Sequence, residues 1–192
     1  VREVYRDTVK LADRLEPVLS DDTSDTQETD IARAKLATQL DAVAKCVKAG
    51  VPTRVYSLAF GEFDTHAGER DKHQRLLKEL DTAVTQFMHK MSGDKFGRNV
   101  TVMMYSEFGR RVKANASDGT DHGTAGPVFI LGDPVKGGFY GDEPSLTDLD
   151  HGDLKTTTDF RDIYHEILAH TLDTDPERVI GKGRRNIGFL QT

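Results

Sequence analysis

The chain has 192 residues, enough for one well-cored domain, and one cysteine, Cys46, which excludes an internal disulfide and a cysteine-cluster metal site. Charged residues make up 30% and no apolar run approaches the length of a bilayer-spanning helix. The formal net charge is -6, with Lys and Arg scattered rather than striped, which argues against nucleic acid or an anionic membrane surface as a partner.

Residues 1–30 read as an N-terminal helix and an acidic linker, and residues 31–192 as an α/β metal-binding domain. Val4, Thr8, Leu11, Leu15 and Val18 lie near one face at helical spacing, and Pro17 disturbs the helix end. Ser20 to Asp30 has no hydrophobic residue and several carboxylates, the pattern of a solvated connection. The chain begins at Val1 without a signal-like segment, so it is expected to be a processed product or part of a longer protein.

Ile31 to Ala49 predicts a helix, with Ala32, Leu36, Leu40, Val43 and Val47 as its stripe and Gly50 as its stop. Cys46 sits beside that stripe as a small semi-buried residue. Val55 to Phe60 reads as a strand running into Gly61-Glu62-Phe63-Asp64-Thr65-His66. Asp64 and His66 are two apart, so in extended chain both leave the same side and can reach one ion. The competing reading makes Asp64 or Thr65 a helix cap and His66 incidental. Gly68 to Met91 is the clearest helix, with Leu76, Leu77, Leu80, Ala83, Val84, Phe87, Met88 and Met91 recurring at three and four.

The stretch from Val100 to Leu131 organises the rest. Val100 to Tyr105 and Val128 to Leu131 read as buried strands. Between them Gly109, Gly119, Gly123 and Gly126 interrupt any period, so the segment reads as a long functional loop carrying Glu107, Arg110, Arg111, Asp121 and His122. Asp142 to Thr158 reads as a surface loop with a turn at His151-Gly152-Asp153. Asp159 to Leu172 reads as a helix capped by Thr158 or Asp159, with Phe160, Ile163, Ile167 and Leu168 inward. Asp175-Pro176 opens a short helical turn that ends at Gly181.

Helix and strand alternate through the first half of the chain. That order favours an α/β fold with a mostly parallel sheet flanked by helices, whose ligands sit beyond the carboxyl ends of the strands. Asp64, His66, Glu107, Asp121 and His122 are then the candidate metal ligands. Mixed imidazole and carboxylate donors suit Zn²⁺ or Mn²⁺, and Ca²⁺ or Mg²⁺ where carboxylates dominate. Arg110 or Arg111 would clamp a phosphate or sulfate oxygen pair. Each piece has a plainer role: Asp121-His122-Gly123 as a turn, and Glu107 as the ion-pair partner of Arg110 or Arg111.

The segments GEFDTHAGERDKHQRLLKELDTAVTQF, YSEFGRRV and GTDHGTAGPVFILGDPVKGGFYG resemble the DUF1501 family, a bacterial domain of unknown function whose members are often exported and which is grouped with the alkaline phosphatase-like superfamily. The likeness runs from about Ile31 to Gly181. It implies an alkaline phosphatase-like fold of which this chain is the C-terminal portion. It implies metal-assisted hydrolysis of phosphate or sulfate esters on a small-molecule substrate, and a periplasmic or extracellular location. In that pattern Asp64 and His66 match an Asp and a His after one strand. Ser106-Glu107 stands where an Asp-His pair is expected, and His122 fits a final His; in another register Asp121-His122 is the pair itself. Nothing before Asp64 resembles the superfamily's nucleophile-bearing element, so a missing N-terminal segment is the implied partner. The alternative function is a non-catalytic binding or structural module on the same fold.

Overall fold

The computed structural model describes residues 6, 9–16 and 35–191. The expected acidic linker, the start of the second helix at Ile31 and the apolar positions Val4, Thr8 and Val18 lie outside them. The chain divides into two units. One gathers the described residues up to Phe63 with Arg75–Val100; the other gathers Asp64–Gln74 and Thr101–Thr192.

The first unit is helical. Helix α1 covers residues 9–16, α2 covers Leu36–Lys48, and α3 covers Glu69–Met91, of which the part from Arg75 belongs here. The apolar stripes supply the core. Leu36, Leu40 and Ala44 of α2 are buried, as are Leu76, Ala83, Val84, Phe87 and Met91 of α3. Leu77, expected on the same stripe, is exposed. Gly50 ends α2 with φ 66°, a left-handed angle that few other residues adopt without strain. Its carbonyl accepts from Arg14 at 2.6 Å, and Lys90 of α3 pairs with Asp41 of α2. Asp94 Oδ1 closes the turn after α3 by accepting from the Phe96 and Gly97 N–H groups, both at 2.9 Å. Residues 55–60 carry no strand assignment, although their β-branched, apolar sequence reads as one.

The second unit holds the strands. β1 (Val102–Met104) pairs antiparallel with β4 (Phe129–Leu131), and β2 (Gly109–Ala114) pairs antiparallel with β3 (Thr120–Gly123). Among the described residues every strand pairing is antiparallel and each sheet has two strands, whereas the helix–strand alternation led to a parallel expectation. With 55–60 outside any ladder, the crossover that would set two strands parallel lacks its first strand. The segment read as one long loop is in large part the β2–β3 hairpin. The buried strands expected at 100–105 and 128–131 are shorter and only partly covered, Phe129 being 54% exposed.

Helix α4 (Phe160–His170) starts at Asp159, whose side chain accepts from the Arg161 N–H, as its position in the sequence predicts. Its buried residue is Glu166 rather than Phe160, which is 62% exposed and meets Tyr164 edge-on. The Glu166 carboxylate accepts from the N–H groups of Ile187, Gly188 and Leu190 at 2.6–2.7 Å, and so anchors the C-terminal segment beyond α5 (Glu177–Ile180). That segment also bridges Val135 through Leu190. The expected turn at His151-Gly152 is present, closed by reciprocal N–H···O bonds of 2.9 Å between Asp150 and Asp153.

Candidate metal centre

The site is built where the chain enters α3 and the turn of the β2–β3 hairpin meets it. The first N–H groups of a helix have no intrahelical acceptors. Here Gly68 donates to the Ser117 carbonyl at 3.0 Å and Glu69 to the Asp118 carbonyl at 2.9 Å. Hairpin-turn carbonyls thus take the donors for which Asp64 or Thr65 was the alternative cap. Asn115 organises that turn. Its Oδ1 accepts from Ser117 and Gly119 N–H, and its Nδ2 donates to the His66 carbonyl at 3.0 Å and to Asp121 Oδ1 at 3.1 Å. Gly119 lies so near that a Cβ there would stand 2.3 Å from the His66 carbonyl carbon. The hairpin and the segment carrying Asp64 and His66 are therefore fixed backbone to backbone.

From that frame three side chains converge. Asp64 Oδ1 lies 2.7 Å from His122 Nε2 and 3.1 Å from His66 Nδ1, and one ligand atom from each of the three falls within 4.8 Å of the others. All three are about half exposed or more. The hydrogen bond from His122 is the main reason that the Asp64 carboxyl titrates below its ordinary range, with the charges of His66, His122 and Arg110 adding to it against desolvation. Tetrahedral zinc with bonds of about 2.0–2.2 Å places its ligand atoms roughly 3.3–3.5 Å apart. The His122 distance to Asp64 would need to open by about 0.6–0.8 Å and the His66 distance by about 0.2–0.4 Å, and exposed side chains can move that far. Two imidazoles and one carboxylate fit a borderline metal such as Zn²⁺ or Mn²⁺ with room for a further ligand. They fall short of the oxygen-rich shell that Ca²⁺ or Mg²⁺ takes.

The other expected ligands stand elsewhere. Asp121 and His122 are consecutive on β3, so their side chains leave opposite faces of the strand, and Asp121 is engaged by Asn115. Glu107 is exposed, and it is not in the cluster. Neither arginine is the partner that Glu107 was given as its plainer role. The Arg110 guanidinium donates to the Thr120 carbonyl and to Thr65 Oγ1 at 3.3 Å, and its Nε stands 3.9 Å from Glu69 Oε1. Arg111 pairs with Asp153 at 3.3 Å and donates to the His151 carbonyl.

Sequence reasoning missed Phe108, Glu69 and Thr120, which stand behind the candidate ligands. Phe108 stacks on His122 with ring centroids 3.8 Å apart and planes 6° from parallel, and the Arg110 guanidinium carbon lies 5.1 Å from the Phe108 centroid. Glu69 accepts from Thr120 Oγ1 at 2.7 Å and stands 3.4 Å from His73 Nδ1. Burial alone would raise the Glu69 pKa; the Thr120 hydrogen bond and the nearby Arg110 and His73 charges outweigh it and lower the value. The signal for this group was the Asp118-Gly119 dipeptide, a hairpin-turn pair. It marks a turn but not the register: a two-residue turn there would face His122 with Asn115. The longer 115–119 connection and the shift between Arg110 and Ala114 instead set Arg110 opposite His122, with Phe108 two residues before Arg110.

No helix among the described residues is long and apolar enough to cross a membrane. No curated protein and no solved structure matches the chain. A protein-family pattern does match, over residues 9–188, nearly the whole length, and the chain belongs to that family, described as protein of unknown function (DUF1501).

Proposed function

We propose that Asp64, His66 and His122 hold a divalent transition metal, Zn²⁺ or Mn²⁺, and that this centre belongs to a hydrolase of phosphate or sulfate esters. The observation that carries the reading is the convergence of two imidazoles and one carboxylate, from chain positions as much as 58 residues apart, on a point open to solvent. The Asp64 carboxylate is ionised at neutral pH, as an ordinary aspartate is, and would supply the anionic ligand. When bound, the metal would supply Lewis acidity toward an ester oxygen. The half-exposed rims of His66 and His122 leave a small-molecule ester room to approach. The exported location implied by the family resemblance belongs to the same proposal.

One observation favours a second reading, a metal-binding module without turnover. Both arginines expected to grip the ester's anionic oxygens have partners of their own, Arg110 with Thr65, Thr120 and Glu69 and Arg111 with Asp153.

The test begins with metal analysis of the purified chain and of Asp64→Ala and His122→Ala after loading with Zn²⁺ or Mn²⁺. One equivalent retained by the wild type and lost in both variants supports the centre; no stoichiometric uptake refutes it. Assay of the loaded chain on aryl phosphates and aryl sulfates then separates hydrolase from module, since the module binds metal and releases no phenol.

A further inference from the structure

We propose that Arg110 is the positioning residue of this site, holding the Asp64–His66 segment and His122 in register with each other; the metal part of the proposal rests on the reading above. The sequence suggests a different task for Arg110, the gripping of an anionic substrate. Its surroundings fit that task poorly. Only 18% of its side chain is exposed, and its fork is directed at protein atoms on both sides of the site. Toward one side it donates to Oγ1 of Thr65, the residue between Asp64 and His66, which is itself 3% exposed. Toward the other it donates to the carbonyl of Thr120, two residues before His122 on β3. The carboxylate of Glu69 balances the charge from the first turn of α3.

Arg110 is also the direct cross-strand neighbour of His122. Cross-strand neighbours on one face lie about 5 Å apart at Cβ, close enough to share a third group. That group is Phe108. Its ring lies flat on the His122 imidazole and within cation–π range of the Arg110 guanidinium. Arg110 therefore touches the support of every ligand: Thr65 for Asp64 and His66, Thr120 and Phe108 for His122. A planar fork with several fixed donors can do this at once, and a lysine ammonium on a flexible stem cannot. Outer groups that orient metal ligands typically change affinity ten- to a hundredfold when removed.

The experiment uses the full chain with Arg110→Gln, and Arg111→Gln as the control, whose partners lie at Asp153 and His151. Zn²⁺ affinity is read by competition with a chromophoric chelator. The His122 ring-proton shifts are read by NMR without metal, since stacking at 3.8 Å on Phe108 moves those protons upfield. Arg110→Gln should weaken Zn²⁺ binding about ten- to a hundredfold and return the His122 shifts toward free imidazole. Arg111→Gln should leave both unchanged. If Arg110→Gln does not fold, Thr65→Val removes only the hydroxyl on the ligand segment and should weaken Zn²⁺ binding in the same direction. Wild-type affinity and wild-type shifts in a folded variant overturn the assignment. Lost affinity with unchanged shifts also overturns it, because the His122 side of the site would then not depend on the guanidinium. If the wild type takes up no Zn²⁺ while Arg110→Gln still releases the His122 shifts, the metal reading falls and the positioning role stands.

Discussion

Replacing Gly119 with Ala should loosen the proposed metal centre without altering any of its ligand side chains. The added methyl would stand 2.3 Å from the His66 carbonyl carbon, 2.4 Å from its oxygen and 2.7 Å from the Ala67 nitrogen. Carbon atoms pack favourably at about 3.5–4.0 Å, so the turn and the ligand segment must part by more than roughly 1 Å. All three obstacles are backbone, so no side chain can swing aside. Overpacking of this kind costs about 1–3 kcal/mol. Parting also stretches the bonds from Gly68 to Ser117, from Glu69 to Asp118 and from Asn115 to His66, each worth about 1 kcal/mol net. The expected loss is about 2–4 kcal/mol, read as a lower urea midpoint at unchanged slope. Zn²⁺ affinity should fall by about tenfold or more, as when the groups orienting metal ligands are lost. Gly137→Ala is the control, because no atom lies within 4 Å of a Cβ there. Stability of Gly119→Ala within about 0.5 kcal/mol of wild type, the range of neutral surface changes, together with an unaltered Zn²⁺ affinity, would refute the account of how the two segments are locked.

Three further outcomes follow from the same contacts. Glu166→Ala leaves the N–H groups of Ile187, Gly188 and Leu190 without their acceptor, and should cost about 2–4 kcal/mol in urea unfolding and expose the C-terminal segment to carboxypeptidase. Phe108→Ala should shift the His122 ring protons downfield by removing the stacked ring, and leave the Glu69–Thr120 hydrogen bond intact. Asp64, Asp94 and Asp159 all have carboxyls held below the ordinary range, Asp159 mainly by hydrogen bonds from Arg161, Asp94 by the Gly97 and Phe96 N–H groups, and Asp64 by His122. Because the folded values lie below the unfolded ones, their contribution is fully present above the unfolded carboxylate pKa of about 4 and is lost as pH falls through the folded values. Stability measured by urea unfolding should thus decline on the acid side of about pH 4, and Asp159→Asn should flatten that decline.

The helices were legible because burial leaves a period in the sequence. The stripe through Leu76, Ala83, Val84, Phe87 and Met91 is the buried face of α3, and Asp159 declares the start of α4. The β2–β3 hairpin was not legible by that route. Most of its residues are open to solvent, so Gly109–Ala114 and Thr120–Gly123 carry no apolar alternation, and the shift in register between Arg110 and Ala114 breaks what pattern remains. The pairing of Asp64 with His66 could be reasoned from spacing, but their meeting with His122 was expected at the carboxyl ends of parallel strands and comes instead from the β2–β3 hairpin packing against the chain before α3. The separation of Asp121 from them could not be reasoned, because it depends on His122 being in a strand rather than a turn. Glu107 was drawn in by its place after an apolar run, yet that run ends as a strand at Met104, leaving Glu107 in the link between two different sheets.

The bond between Asp64 and His122 ties together points 58 residues apart. A cation gripping both side chains would turn that weak tie into a clasp around the intervening chain. Because the unfolded chain has no assembled site to hold the ion, the gain in stability would be set by the ion's affinity for the folded chain and its free concentration. The one-cysteine chain would thus have, in a dissociable ion, a crosslink that a chelator opens and added metal closes again.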